Sequence, residues 1–214
     1  NCQSVRMYIS FNNNFYKLLI LRIISLISFL LFFSEVFSQK VLRVGGDKGF
    51  APYEYLGEEN TPMGFNIDIL KSVLGNLDYT IDIQLKTWKN VRRDLSKGEI
   101  DLVSGMFYSD KRAKEYLFSD PFIKVQHRAF YKKGQQIDKI DQIKDKIIIV
   151  QDGDIMHDYV LTNNISDSII VMRDPENELR YLAITKDVNC VVLMGFYQGQ
   201  YIIDKLMDYL FGFF

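Results

Sequence analysis

The sequence is poor in cysteine, histidine and proline. Of its 214 residues, two are cysteine, two are histidine and four are proline. Cys2 and Cys190 are far apart, and Cys190 lies in the apolar stretch "VNCVVLM", which is typical of a small core residue and predicts no disulfide framework. His127 and His157 lack Cys or Glu partners at ligand spacing, so no metal site is expected.

An excess of charge of one sign is also missing. The chain has 26 Lys and Arg against 27 Asp and Glu, interspersed, which argues against the basic stripe of a nucleic-acid binder. It contains no Gly-Lys-Ser loop, nucleophile elbow or His-Glu-x-x-His motif, so we expect neither catalysis nor a cofactor. Its hydrophobic content of 48% suffices for one globular domain or two small lobes.

The first 38 residues differ from the rest. Lys17 and Arg22 flank and interrupt an apolar stretch, residues 23–33 carry no charge, and Val36-Phe37-Ser38 offers side chains that suit a signal peptidase. An apolar run of about 7–15 residues with basic flanks is typical of a secretory signal, whereas a membrane span needs about 20. We interpret residues 1–38 as a signal peptide or, alternatively, an uncleaved N-terminal anchor. The remainder is then exported, to the periplasm or elsewhere outside the cytoplasm.

Strand and helix patterns alternate in the first half of the remaining chain. Strands are predicted in "VLRVGG", "YTIDIQL" and "IDLVSGM", and helices in "GFNIDILKSVLGNL" and "WKNVRRDLSKG". The first helix places Ile67, Leu70, Leu74 and Leu77 on one face. The β-α-β-α-β order predicts a parallel sheet covered by helices.

The second half repeats this architecture. Strands are predicted in "DKIIIVQDGD", "SIIVMRD" and "VNCVVLM", and helices in "IMHDYVLTNN", "ENELRYLAI" and residues 196–210. Asp174 followed by Pro175 is typical of a helix N-cap with proline at the first helical position. We predict two α/β lobes, residues 39–132 and 133–214, with a ligand cleft at the carboxyl ends of their strands.

Four motifs resemble the extracytoplasmic solute-binding proteins of family 3, the amino-acid-binding type of periplasmic binding protein. The family's Asp-x-x-aromatic-x-Pro-aromatic motif matches residues 47–53, and its Gly-aromatic helix entry matches residues 64–65. Its Gly-x-Thr-x-Thr-x-x-Arg motif matches residues 105–112, and Phe-Ser-Asp-Pro-Tyr matches residues 118–122. The resemblance extends over about residues 40–200 and is weaker in the second half.

The resemblance implies a two-lobed α/β fold of the type II periplasmic-binding-protein class, whose C-terminal return to the first lobe is expected to be missing from this sequence. It implies an exported module that closes on a small amino-acid-like or carboxylate solute. Such a module serves as a receptor sensor domain, for example of a membrane histidine kinase, or as the substrate-binding protein of an ABC transporter. The implied partners are a membrane permease or a fused kinase region.

The resemblance also implies roles for single residues. Arg112 would bind the ligand's carboxylate with help from the Gly105 backbone, Phe50 would stack on the ligand, and Asp47 and Ser104 would add polar contacts. Free N–H groups at Ser104 and Gly105 would suit an anion. The candidate ligand-binding residues are Asp47, Phe50, Tyr53, Ser104, Gly105, Met106, Ser109, Arg112, Gly153 and Asp154.

Several positions depart from the family pattern. Phe107 and Ser109 occupy the two threonine positions, so the hydroxyl that usually assists the arginine is replaced by Phe107. The Gly-Thr or Gly-Ser turn of the second lobe is Gly153-Asp154, and Met194 stands where the family has the aspartate that binds an α-amino group. Recognition of an amino group then depends on Asp154, and a carboxylate or another small ligand fits as well as an amino acid.

Other interpretations stay open. Arg112 alone fits equally well on a wet helix face, paired with Glu115 or Asp110. A dehydratase-like enzyme on the same fold would use Asp154 or Asp47 as its acid, and the chain is alternatively a fragment without function. If Arg112 faces the cleft, Arg112→Ala should weaken binding roughly ten- to hundredfold with little effect on folding.

Overall fold

The computed structural model describes residues 13–33, 40–75, 77, 79–135 and 137–211. Asn1–Gln39 and Lys40–Phe214 form separate units. In the first unit, α1 (Asn13–Phe33) is a helix of 21 residues. Among the described ranges, no helix combines the length and apolarity required to cross a bilayer. Val36-Phe37-Ser38 lies outside these ranges, so the signal segment stays a prediction.

The second unit alternates strands and helices. The strands are β1 (Lys40–Asp47), β2 (Gly49–Phe50), β3 (Glu54–Leu56), β4 (Pro62–Met63), β5 (Tyr79–Lys86), β6 (Leu102–Val103), β7 (His127–Tyr131), β8 (Ile147–Gln151), β9 (Ile169–Met172) and β10 (Cys190–Gly195). The helices are α2 (Phe65–Leu74), α3 (Trp88–Ser96), α4 (Ile155–Thr162), α5 (Pro175–Ile184) and α6 (Phe196–Phe211). The predicted strands and helices occur in the predicted order in both halves, and the structure adds β2, β3, β4 and β7.

The first half is a parallel sheet in the order β5-β1-β6. Behind this sheet, Trp88 and Val91 of α3 pack against Ile100 and form a small buried cluster. The prediction that Leu77 continues the apolar face of α2 is wrong. The helix ends at Leu74, and Leu77 is 49% exposed.

The second half is a four-stranded sheet in the order β7-β10-β8-β9. β8 runs parallel to β9 and β10, and its side chains Ile148, Ile149 and Val150 are fully buried. The predicted N-cap of α5 is confirmed, since Asp174 Oδ1 accepts a hydrogen bond from the Glu176 N–H at 3.0 Å. Cys190 is a buried free thiol, as the sequence predicts.

β7 departs from a simple division into two sequential lobes. Residues 127–131 pair antiparallel with β10, so they form an edge strand of the second sheet although they precede the predicted second lobe. A short antiparallel sheet, β2-β3-β4, extends from the end of β1. This small sheet carries Phe50 and Glu54 beside the carboxyl ends of the main strands.

The carboxyl ends of strands from the two halves meet. Asp47 is the last residue of β1 and Gln151 the last of β8, and Gln151 Nε2 donates to Asp47 Oδ2 at 2.7 Å. A second polar contact joins α6 to β2, from Gln198 Nε2 to the Gly49 carbonyl at 3.0 Å. These contacts place one cavity at the junction of the two halves, where open α/β sheets bind ligands.

Candidate functional site

A cavity of about 640 Å³ lies between the two halves. Its volume is in the range of small-molecule sites, about 300–1,000 Å³. Aromatic and acidic side chains share its wall. The aromatic residues are Phe50, Trp88, Phe107, Tyr108, Phe118 and Phe122, and the acidic ones are Asp47, Glu54, Asp120 and Asp154.

Asp47 is a buried carboxylate at the end of β1. Its Oδ1 accepts the Gly49 N–H at 3.0 Å, and its Oδ2 accepts the Gln151 amide. Burial raises the pKa of Asp47 to about 6, although both hydrogen bonds act in the opposite direction. Asp47 is therefore mostly ionised at neutral pH and becomes protonated in mildly acidic solution.

Glu54 lies behind Asp47 and is fully buried. Its Oε1 accepts the Asp47 N–H at 2.8 Å, and its Oε2 forms a short hydrogen bond with Ser104 Oγ. Burial raises the pKa of Glu54 to about 8. Ser104 Oγ is the donor of this short bond and also lies 3.3 Å from the Gly45 carbonyl, and its hydrogen bond opposes the effect of burial. At neutral pH the carboxyl of Glu54 is thus mainly protonated.

Arg112 is buried at the contact between the halves, with its side chain 1% exposed. Its Nε and Nη2 donate to Asp158 Oδ2 at 3.2 and 3.0 Å. The remaining bonds run from Nη2 to the Gly153 carbonyl at 3.0 Å and from Nη1 to the Phe107 carbonyl at 3.3 Å. Arg112 is not among the described residues that line the cavity. The alternative that Arg112 lies on a wet helix face, paired with Glu115 or Asp110, is wrong, because its partners are Asp158 and two carbonyls. Its burial also argues against the expectation that its removal has little effect on folding.

The Gly153 carbonyl is a shared acceptor at the same contact. It accepts Trp88 Nε1 at 2.8 Å and Arg92 Nη1 at 3.1 Å in addition to the Arg112 guanidinium. Gly153 has φ +77°, in the left-handed region that favours glycine. The turn after β8 therefore presents its backbone oxygen to three donors of the first half.

Asp158 completes the ion pair from α4. Its Oδ1 also accepts Lys111 Nζ at 3.1 Å, so two cations of the first half share one carboxylate. Although burial acts to raise it, these hydrogen bonds hold the pKa of Asp158 below its usual value. The two halves are thus held together by a charged cluster outside the cavity wall.

The structure brings five of the ten candidate residues to the cavity wall. These are Asp47, Phe50, Gly105, Met106 and Asp154. Asp154 is also the N-cap of α4, with Oδ2 accepting the Met156 N–H at 3.0 Å. The role of each in binding stays a prediction.

The other five candidates lie beside the wall. Tyr53 stacks on Phe50 with ring centroids 4.6 Å apart, and Ser109 Oγ accepts the Arg112 N–H at 3.2 Å. The prediction of a free N–H at Ser104 is wrong, because this N–H donates to the Gly45 carbonyl at 2.9 Å. Arg112 and Gly153 form the contact between the halves described above.

Sequence reasoning missed several residues of the wall. Gln151 was findable, because it ends a parallel strand and such ends line clefts. The helical spacing of Trp88, Val91 and Leu95 predicts a core role for Trp88, and the structure shows that Trp88 both packs in a buried cluster and lines the cavity. The sequence does not indicate a site role for Glu54 or Asn66. A charged residue next to aromatics, such as Glu54, is typical of an exposed strand position. The sequence raises His127 only as a possible metal ligand, and the structure places it in the cavity wall.

A family model covers most of this unit. The model of the bacterial extracellular solute-binding proteins, family 3, matches residues 42–200. The chain belongs to this family. A probable histidine-binding protein of Neisseria gonorrhoeae is 28% identical over 106 residues, which cover 49% of this chain and 40% of that protein. The arginine-binding extracellular protein ArtP of Bacillus subtilis is 29% identical over 121 residues, which cover 56% and 47%.

The chain therefore spans less than half of the length of these two relatives. Among solved structures, a histidine kinase sensor domain with similarity to periplasmic binding proteins superimposes with a TM-score of 0.72 at 25% identity, covering 78% of this chain and 73% of that one. The two-lobed periplasmic-binding-protein fold predicted from the sequence is confirmed. Enzymes also occur among the relatives, including a cyclohexadienyl dehydratase of Pseudomonas aeruginosa, 26% identical over 91 residues.

Proposed function

We propose that this chain is a non-catalytic module that binds a small solute between its two halves and reports occupancy by closing. Residues 39–132 would form lobe 1 and residues 133–214 lobe 2, with β7 joining the sheet of lobe 2. The observation that carries this proposal is the cavity, whose wall takes side chains from both halves. A solute that contacts both lobes only when they are closed stabilises the closed state.

The polar contacts between the halves support a closing motion. Two of them are ion pairs with a largely exposed lysine, Lys89 Nζ to Asp152 Oδ2 at 2.7 Å and Lys111 Nζ to Asp158 Oδ1 at 3.1 Å. Exposed ion pairs contribute about 0–1 kcal/mol each, so they break readily. A hinge can therefore open without disrupting either hydrophobic core.

We assign the candidate residues two kinds of role. Phe50, Asp47, Gly105, Met106 and Asp154 would contact the solute, because they line the cavity. The other five would position them. Tyr53 and Ser104 touch lining residues, Arg112 and Gly153 join the lobes, and Ser109 contacts Arg112, as described above.

The larger assembly is proposed from the relatives. Binding proteins for histidine and arginine support a transport role with a membrane permease, and the sensor-domain likeness supports a receptor role with a fused kinase region. We favour the sensor, and we place the module in the periplasm or on the outer side of a membrane anchor. Both placements agree with the extracellular nature of the family.

Calorimetry tests the proposal. The whole chain would be titrated with amino acids, dicarboxylates and amines, and at least one solute should bind with a stoichiometry of one. Phe50→Ala should then weaken its binding roughly tenfold, since the ring supplies apolar and stacking contact. Phe65→Ala is the matched control, because Phe65 is 46% exposed and lies outside the cavity wall. Equal losses in both variants would contradict the proposal.

The dehydratase interpretation is the second candidate. It is favoured by the buried carboxyls Asp47 and Glu54 at the cavity and by the dehydratase among the relatives. Incubation with prephenate, a cyclohexadienyl acid, tests it through loss of substrate. Turnover that disappears in Glu54→Gln would establish an enzyme, whereas unchanged substrate would leave the binding function.

A further inference from the structure

We infer that the solute is a small organic cation, an amine or guanidine that lacks a carboxylate. This inference rests on the proposed solute-binding function and names the chemical class that the cavity selects. It departs from the sequence expectation of a carboxylate or an amino acid.

The arginine expected to bind a ligand carboxylate is already occupied. Asp158 Oδ2 accepts hydrogen bonds from Nε and Nη2 of Arg112, and the carbonyls of Gly153 and Phe107 accept the other described hydrogen bonds of the guanidinium. Arginine binds carboxylates through two parallel N–H bonds. In this protein the Nε and Nη2 edge of the guanidinium is bound to Asp158. A ligand carboxylate would have to displace an internal one.

The cavity wall itself offers no replacement cation. Among the described residues that line it there is neither lysine nor arginine. Burial lowers the pKa of His127, against the charge of Asp154, so its imidazole is neutral at pH 7. A carboxylate in this cavity would meet the carboxylates of Asp47, Asp120 and Asp154 without a partner, which is costly.

The same wall suits a cation. Asp154 uses Oδ2 to cap α4, and no described donor takes its Oδ1. Phe50 and Phe107 stand edge to face, 5.6 Å between centroids, and Trp88 adds an indole. Aromatic faces attract ammonium and guanidinium groups by about 0.5–2 kcal/mol, most strongly where water is excluded.

Unpaired polar atoms belong to two other side chains of the wall. Asn66 Oδ1 and His127 Nε2 are buried and have no hydrogen-bond partner among the described residues. Asn66 Oδ1 is an acceptor, and His127 Nε2 is an acceptor in the neutral tautomer that carries its proton on Nδ1. Buried acceptors without a partner are destabilising, and the N–H groups of an amine or guanidine would satisfy them.

Arg112 does not cancel this preference. Its guanidinium lies 5.9 Å from the Trp88 ring centroid, and Trp88, not Arg112, faces the cavity. The positive charge is paired with Asp158 at 3.0 Å, and neither residue of the pair is among the described residues that line the cavity. The net field in the cavity is therefore set by the lining carboxylates.

Matched pairs of compounds test the inference. Agmatine and histamine would be compared with arginine and histidine, which differ from them only by the carboxylate, in calorimetric titrations of the whole chain. Choline would be compared with the neutral isostere 3,3-dimethylbutan-1-ol. We expect at least one amine to bind roughly tenfold or more tightly than its parent amino acid, and any choline binding to exceed that of the alcohol.

A variant pair localises the effect. Asp154→Asn removes one charge from the wall and keeps an N-cap residue, and it should weaken binding of the preferred amine roughly tenfold. Asp174→Asn is the matched control, because Asp174 caps α5 in the same way and does not line the cavity. It should leave the affinity unchanged.

The outcomes separate this inference from the proposed function. If arginine or histidine binds as tightly as its amine, or if the alcohol matches choline, the cation assignment is overturned and solute binding stands. If Asp154→Asn and Asp174→Asn act alike, the assignment to this cavity is also overturned. If no amine, amino acid or dicarboxylate binds, both the inference and the proposed function fall.

Discussion

Arg112 and Asp158 form a buried ion pair across the two halves of the protein. Two guanidinium nitrogens lie 3.2 and 3.0 Å from the same carboxylate oxygen, and Arg112 is 1% exposed. The arginine that resembles a ligand-binding residue by sequence thus binds a carboxylate from its own chain. Its position makes it a stabiliser of the contact between the halves.

Removing Asp158 should create affinity for carboxylates. Asp158→Asn removes the negative charge that pairs with Arg112 while keeping the side-chain shape. The guanidinium, which lies 5.9 Å from the ring of the lining residue Trp88, is then able to turn toward a ligand in the cavity. We expect arginine to gain roughly tenfold in affinity relative to agmatine, measured by calorimetry. Asp152→Asn is the control, since it breaks the exposed pair with Lys89 and leaves Arg112 untouched. If the affinity for arginine relative to agmatine is unchanged in Asp158→Asn, the ion pair with Asp158 is not what keeps Arg112 from binding a ligand carboxylate.

Removing Arg112 should destabilise the fold. Arg112→Ala leaves the partly buried Asp158 and the Gly153 carbonyl without their shared donor, which costs on the order of 2–4 kcal/mol. Urea denaturation measures this free energy of unfolding. Lys111→Ala removes the exposed cation of the same carboxylate and should cost less than about 1 kcal/mol. Equal stability of both variants would contradict the structural role of Arg112.

Stability should fall as pH rises from about 6.5 to about 8. Burial raises the pKa of Glu54 from 4.5 to about 8, so the folded state holds a proton that the unfolded state has already lost. A raised acid pKa contributes stability that is present at low pH and lost as pH approaches the folded value. Glu54 alone should account for about 2 kcal/mol over this window.

The pH range of about 6.5 to 8 lies above the range in which His127 and Asp94 change stability in the opposite direction to Glu54. The lowered pKa of His127 acts in the other direction only below its ordinary value of 6.5, and that of Asp94 only below 3.8. Glu178 acts in the same direction as Glu54. Urea denaturation at several pH values should give a shallower slope for Glu54→Gln than for the native chain. Stability that increases across the window would refute the buried, protonated state of Glu54.

Replacing Glu178 should stabilise the protein. Glu178 is fully buried in α5, and neither carboxyl oxygen has a hydrogen-bond partner among the described residues. Burial, together with the charges of Asp154, Asp174 and Asp47, raises the pKa of Glu178 well above its ordinary value. Glu178→Leu removes the unsatisfied group and should raise the free energy of unfolding by about 1–3 kcal/mol.

Glu176 provides the comparison for this prediction. It lies two residues earlier, pairs with Arg180 and Lys205, and is 27% exposed. Glu176→Leu should lower stability slightly, because it removes partly exposed ion pairs worth about 0–1 kcal/mol each. If Glu178→Leu is destabilised as much as or more than Glu176→Leu, the carboxyl of Glu178 has a stabilising role that the described contacts do not contain.

The architecture was predictable because hydrophobic periodicity determines it. The alternation of Tyr79, Ile81 and Ile83 identified β5, and the Asp174-Pro175 pair identified the start of α5. The membership of β7 in the second sheet could not be predicted, because its pairing with β10 joins residues far apart in sequence and the local hydrophobic pattern does not indicate strand partners. The helical periodicity continues through Leu77, but the helix ends at Leu74 with Gly75 as its C-cap, so the pattern predicts one turn too many.

The site was predictable only in part. Asp47 and Phe50 follow from a motif at the end of a strand, and both line the cavity. The partner of Arg112 was not predictable, because Asp158 is 46 residues away and reads as an ordinary exposed residue of α4. The same holds for Glu54, whose burial depends on Ser104 and Asp47 enclosing it in three dimensions.

Trp88 offers the most direct test of solute binding between the lobes. It is the only tryptophan of the sequence, it lines the cavity, and its Nε1 donates across the contact to the Gly153 carbonyl at 2.8 Å. Titration of the whole chain with agmatine, arginine and the other solutes would follow its fluorescence. The proposed closure predicts a saturable change in Trp88 emission, with the same affinity as calorimetry gives. A solute that binds by calorimetry and leaves Trp88 emission unchanged would show that binding takes place outside this cavity and would contradict the proposal.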